Sequence, residues 1–258
     1  PPSTAPSTTT TPTTTAPTTT GAPPSPAAHE VAARPVTASP TVASDPAALA
    51  AQLLDAERTI RDGSATPAVV SEAAHVQQVA YRVIADHPEW DRTVAATIPA
   101  DLRAAVVRNV AARRELRGMH TRLLDHLPGW RIVAPRPPDE LLGHYREAER
   151  VHGVPWQYLA AIHLVETAIG RVDGVSTAGA QGPMQFMPAT WASFGEGDVR
   201  NPRDAILAAG RYLAHNGAPH DMSSALFNYN RSNRYVRAVA NYAAVIAEVS
   251  RGLGEAMV

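Results

Sequence analysis

The sequence predicts an all-α protein, and three observations carry that expectation. Apolar residues recur every three and four positions between proline-marked starts and glycine or aspartate stops, the period of a helix with one buried face. Hydrophobic residues make up 45% of the 258-residue chain but aromatic residues only 5%, so Ala, Leu and Val supply the apolar surface, which suits packed helices better than a β-sandwich. No segment alternates polar and apolar residues strongly enough to predict a strand, and neither an internal repeat nor a sustained heptad emerges.

Residues 1–43 are Thr, Pro, Ala and Ser with almost no charge. Such a composition cannot bury a core, so a disordered, semi-extended linker is expected. A spacer holding a catalytic module away from a membrane and a generic tail fit it equally. Ser44-Asp45-Pro46 then starts a helix, a cap residue followed by proline in the first turn, which is expected to run to about Arg61 and stop at Asp62-Gly63. Thr66-Pro67 opens a second helix that ends before Pro88. Pro99-Ala100-Asp101 opens a third, with Leu102, Val106, Val107, Val110 and Leu116 on one face. Its other face carries Arg103, Arg108, Arg113, Arg114 and Arg117, which reads as a solvated face rather than a binding surface.

A small helical domain over residues 44–136 follows from these signals, with nothing catalytic in it. His120 and His126 flank Asp125, but a helical metal pair needs ligands at i and i+4 with a third from elsewhere, so no metal is expected there. The proline-rich stretch Pro128–Pro138 reads as a connector, with Trp130 and Ile132 available to pin it to a neighbour. A second domain is expected over residues 137–258. Its helix starts lie at Pro138, Val154-Pro155, Pro188, Asn201-Pro202, Asp221 and Asn233, with stops at Gly153, Gly170, Gly217 and Gly252.

Composition excludes several function classes. The formal net charge is -1, which leaves no electrostatic footprint for nucleic acid. There is no cysteine, so neither a disulfide framework nor a thiol nucleophile exists. No apolar run is long enough to cross a bilayer. Because the chain starts at Pro1 rather than Met, a trimmed form that has lost an upstream signal or anchor is expected. Gly195-Glu196-Gly197-Asp198 offers too few oxygen ligands for Ca²⁺, and no cofactor is implied.

The stretch from Ala161 to Trp191 concentrates the chemistry. Leu159, Ile162 and Ile169 share the helical face of Glu166, with Tyr158 and Val165 alongside. A carboxylate on such a stripe is poorly solvated, which disfavours its charged form and raises its pKa from about 4.3 toward roughly 6. The helix is expected to stop at Gly170 with a left-handed cap. A loop with Gly174, Gly179 and Gly182 follows, then Gln185, an amide able to donate and accept. An acid, a glycine loop and an amide within about twenty residues suit a sugar cleft.

Glu166-Thr167, then Ser176 to Thr190 (STAGAQGPMQFMPAT), then Ala225 to Asn230 (ALFNYN) resemble the successive motifs of lytic transglycosylases. The resemblance covers roughly Pro137 to Arg251 and is nearest the secreted or membrane-anchored actinobacterial members. It implies a lysozyme-like helical fold, peptidoglycan glycan strands as the partner, a monomer, and an extracytoplasmic location in the cell envelope, with a membrane involved only through a missing N-terminal anchor. It also implies that Glu166 acts as acid and then base. Ser176 and Gln185 would bind acetamido and sugar groups, Met187 would pack in the cleft near the catalytic helix, and Tyr229 would hydrogen-bond near the carboxylate. Asn230 beside Tyr229 completes the expected substrate-binding set. Thr167 stands where many members have Ser, and Pro183 where many have Leu. Two other readings stay open: a muramidase of the same fold that adds water, using Asp173 as a second carboxylate, and a wall-binding module without catalysis.

Overall fold

A computed structural model describes residues 39–119 and 129–255, with side chains as far as Arg251. The expectations placed on residues 1–38, on His120, Asp125 and His126, and on the last three residues lie outside the described residues. Among the described residues the fold is all-α apart from one two-stranded ribbon.

Local signals set the helix starts. In α1 (Pro46–Arg61) the Asp45 carboxylate accepts the Ala48 N–H, and in α2 (Pro67–Asp86) the Thr66 hydroxyl accepts that of Val69. Each satisfies one of the orphan donors of a first turn. A short helix missing from the sequence reading, α3 (Asp91–Thr97), follows the turn Pro88–Trp90 and precedes α4 (Ala100–Arg117). At seven residues α3 is too short to show a period. These four helices enclose a hydrophobic cluster of Leu49, Leu53, Ile84, Val94, Ile98 and Val106, among others.

Arg103, Arg108 and Arg117 are exposed, as a solvated face requires, but several arginines of α4 also bond within the protein. Arg114 makes a bidentate pair with Asp91 (2.8 and 2.8 Å) and donates to the carbonyls of Ile84 and Ala85, while Arg103 donates to the Ile98 carbonyl. Arg117 pairs with Asp86 at 3.2 Å. The guanidinium fork satisfies helix-end carbonyls and a carboxylate together, so these side chains tie α2, α3 and α4 to one another. The Glu57 side chain is buried in the same bundle and is held by Arg61, Gln77 and Tyr81.

The connector is not featureless. Arg131–Ile132 forms β1, antiparallel to β2 (Val172–Asp173). Two-residue strands carry no readable period, and this pairing joins residues about forty positions apart, beyond any local signal. Trp130 does pin the connector: it lies against Gly174, where a Cβ would collide with the indole, and its Nε1 donates to the Val175 carbonyl at 3.1 Å. Ile132 stays exposed.

The second hydrophobic cluster draws on α5 (Pro138–His152), α6 (Trp156–Thr167), α8 (Pro202–His215), α9 (Met222–Tyr229) and α10 (Asn233–Glu255), with α7 (Pro188–Phe194) against its edge. Its buried residues include Tyr145, Leu159, Ile162, Met184, Leu213 and Tyr235. Gly252 lies within α10 rather than ending it. Helix α4 packs along α10, where Glu115 accepts from Arg237 (2.7 and 2.9 Å) and Arg234 (3.2 Å). The two clusters thus belong to one compact unit.

Candidate active site

Glu166 occupies the last turn of α6, a helix that is almost wholly enclosed: Leu159, Ala160, Ala161, Ile162 and His163 are all buried. The helix ends three residues before the expected stop. Ala168, Ile169 and Gly170 all take positive φ (51°, 62° and 72°), and the Ala168 and Ile169 N–H groups return to the carbonyls of Leu164 and His163. This is a left-handed cap of the kind expected at Gly170 but begun at a non-glycine residue. Thr167 explains how it holds. Its hydroxyl donates to the Pro183 carbonyl (2.7 Å) and accepts the Gly170 N–H (3.1 Å), joining the helix end to the glycine loop.

The Glu166 carboxylate is half-buried: part of its surface meets solvent while protein atoms crowd the remainder. Desolvation raises its pKa to about 7, partly opposed by a hydrogen bond from Tyr235. The negative end of the α6 dipole acts in the same direction as desolvation, since charge of that sign is disfavoured at a helix C-terminus. Near neutral pH the group therefore exists in both protonation states, as a side chain that gives and then takes a proton requires.

Tyr235, not Tyr229, is the hydrogen-bond partner of this carboxylate among the described residues. Its hydroxyl donates to Oε1 at 2.7 Å. Tyr235 is buried in α10, stacks with Tyr229 (ring centroids 6.4 Å apart, planes at 5°), and its pKa is pushed well above 10 by burial and by Glu166. Tyr229, expected to bond near the carboxylate, instead donates to the Met184 carbonyl at 2.7 Å. The reason is reach. The loop carbonyl lies within range of α9, and Tyr229 supports Glu166 through the stacked ring of its neighbour. Tyr235 lies on the next helix, six residues beyond Tyr229, in a sequence context that looks like ordinary helix; no local signal marks it.

The glycine loop is organised by its own backbone. Ser176 closes a turn, its Oγ accepting the Ala180 N–H at 2.9 Å. Gln181 and Phe186 exchange backbone hydrogen bonds of 2.9 Å across a tight reversal. At its tip Gly182 (φ 72°) has no room for a side chain, since a Cβ would collide with the Val199 carbonyl. Gln185 also has a positive φ (50°), and its Nε2 donates to the Gly182 carbonyl at 2.9 Å. That leaves the Oε1 end of the amide to accept from a ligand. Met187, the residue before α7, has 43% of its surface exposed, whereas Met184 is fully buried. Asn230 is half-buried at the C-terminal end of α9.

Asp173 does not complete a carboxylate pair. It lies in β2, half-buried, and forms an ion pair with Arg131 across the ribbon. Among the described residues no group of three or more His, Asp or Glu side chains is arranged to hold a metal ion.

Comparison with known proteins falls on the same residues. The family model described as a transglycosylase SLT domain matches residues 144–249. A membrane-bound lytic murein transglycosylase F from Thiobacillus denitrificans is 35% identical over 80 residues, which is 31% of this chain and 17% of that relative. The chain thus spans less than a fifth of the relative it matches. No solved structure matches it. The acid, the glycine loop and the α9 motif all lie inside the span, residues 144–249, that is similar to the transglycosylase SLT domain.

Proposed function

We propose that the protein is a peptidoglycan lytic transglycosylase that cleaves the MurNAc-β-1,4-GlcNAc bond without consuming water, with Glu166 as its one catalytic carboxyl group. The observation that carries this reading is the half-buried Glu166, with a pKa of about 7 and a tyrosine hydroxyl on Oε1. Hydrolysis with two carboxylates needs a second one facing the first across the scissile bond, and Asp173 is committed to Arg131.

In this mechanism protonated Glu166 gives its proton to the glycosidic oxygen as the bond to C1 breaks. The C2 acetamido oxygen of the substrate takes up the positive charge at C1. Glu166, now a carboxylate, removes the C6 hydroxyl proton, and O6 bonds to C1 as the acetamido oxygen leaves. Atoms balance with one 1,6-anhydroMurNAc end and one free GlcNAc end, and the enzyme regains its proton. Ser176, Gln185, Met187, Tyr229 and Asn230 are the residues we assign to the glycan cleft. Tyr235 holds the carboxyl group in place. The relative's name places that protein at a membrane, which supports work in the cell envelope.

Digestion of purified peptidoglycan in H₂¹⁸O, with products read by mass spectrometry, tests the reading. Anhydro ends without ¹⁸O are expected, and Glu166→Gln should lower the rate by about 10²–10⁴-fold. Reducing ends carrying ¹⁸O would establish a muramidase instead. Absence of any cleavage, with Glu166→Gln indistinguishable from the native chain, would establish a binding module.

A further inference from the structure

A cavity of about 620 Å³ lies beside the glycine loop, and its walls include neither Glu166 nor Tyr235. Its volume falls within the roughly 300–1,000 Å³ typical of ligand sites. One wall is the loop Gln181-Gly182-Pro183 and the turn from Gly170 to Val175. The facing wall is the connector, through Gly129, Arg131, Val133, Ala134 and Arg136. That connector lies outside the matched span 144–249, so this chain adds the second wall to a family domain. The ribbon pairing, the Trp130 contact and a hydrogen bond from the Val133 N–H to the Arg171 carbonyl (2.9 Å) hold the connector in place.

The lining is cationic around an apolar floor. Arg131, Arg136 and Arg200 face one carboxylate, Asp173, which is taken up by Arg131. Arg136 has only a long 3.9 Å contact with Glu140, and Arg200 makes no ion pair among the described residues. Leu141, Ile169, Val172 and Pro183 supply the apolar part. His163 belongs to the same wall. It is buried, and its Nε2 has no partner among the described residues and lies against Gly170, another lining residue. Its Nδ1 is 2.7 Å from the Tyr145 hydroxyl.

Guanidinium groups over an aliphatic floor select a small ligand with carboxylate groups and short apolar side chains. In the substrate class proposed above, the lactyl carboxyl groups of the glycan are amide-linked to peptides, so the free carboxylates belong to those peptides. The cavity wall is fastened to the end of the Glu166 helix, because Thr167, next to Glu166, donates to the carbonyl of the wall residue Pro183. The geometry points to a binding site for the acidic stem peptide of peptidoglycan, built by the connector onto the transglycosylase domain, that favours peptide-bearing glycan over bare glycan. This inference rests on the proposed substrate.

Two measurements test it separately from that substrate assignment. In the first, free stem tetrapeptide is titrated calorimetrically into the full chain carrying Glu166→Gln, in which turnover is strongly slowed. Binding is expected, with about a tenfold or greater loss when Arg136→Ala and Arg200→Ala are added, and partial recovery with Arg200→Lys. Absence of binding, or equal binding by the arginine variants, would overturn the site. In the second, kcat/KM is compared on glycan strands with peptides attached and on strands stripped by an amidase. The native chain should prefer the former about tenfold or more, and the Arg136→Ala/Arg200→Ala chain should lose that preference while cutting stripped strands at the native rate. Equal rates for the native chain on both substrates would also overturn it. Failure to cut either substrate, with peptide binding intact, would count against the transglycosylase reading and leave the peptide site standing.

Discussion

A carboxylate at the C-terminal end of a buried helix imposes an electrostatic load on the fold. Glu166 has a folded-state pKa near 7 against about 4.5 unfolded, so between those values the folded protein holds a proton that the unfolded chain has released. Stability from this group is complete below pH 4.5 and is lost as pH rises through 7. Glu166→Gln, which resembles the protonated acid at every pH, should therefore stabilise the protein at pH 8 by on the order of 1–3 kcal/mol, given partial solvent screening. It should do little at pH 4. Urea denaturation at the two pH values checks this, and equal effects at both would refute it. Activity that needs the protonated acid should decline above pH 7. The Tyr235 hydroxyl stabilises the ionised form, so Tyr235→Phe, which keeps the ring stack with Tyr229, should move that basic limb to higher pH in a kcat/KM profile. An unmoved limb with a merely lower rate would assign Tyr235 to packing alone.

At the scale of elements, the α6 terminus and the glycine loop behave as one piece because Thr167 bonds both Gly170 and Pro183. The loop's tip has no slack: Gly182 combines a positive φ with the Val199 carbonyl where a Cβ would go. Gly182→Ala would add left-handed strain and a backbone collision, costing about 1–3 kcal/mol, and would displace Met184 and Gln185. A drop of several degrees in melting temperature together with a lower kcat/KM on glycan is expected, and native values for both would show the loop to be free to shift. Helix boundaries also show what local signals carry. Asp45, Thr66, Asn201 and Asp221 cap where the sequence places them, because a cap is a contact between residues two or three apart. The end of α6 was misplaced at Gly170 because Thr167 answers to Pro183, a partner sixteen residues away.

Across the whole molecule, α4 and α10 hold the two hydrophobic clusters together, and the ion trio of Glu115, Arg234 and Arg237 lies on that seam. Both arginines flank Tyr235, the residue that touches Glu166. Because both arginines are exposed, the trio's contribution is small and screened by salt. Glu115→Ala should lower the melting temperature by no more than about 4 °C at low salt, and by less in 0.5 M NaCl. A loss much larger than that, or one indifferent to salt, would mean that the seam depends on this carboxylate for packing rather than charge.

The sequence by itself determined the helical class, most helix starts, the ordered motifs of the family, and Glu166 as the acid worth watching. Each of these rests on residue type or on spacing within a few turns. Only the tertiary structure decided which tyrosine bonds the carboxylate, that Asp173 is spent on Arg131, that Met184 rather than Met187 is packed inside, and that the connector walls a cationic cavity. Those outcomes depend on side chains tens of residues apart competing for one partner. The winner is set by distances of a few tenths of an ångström, and no local pattern encodes such distances.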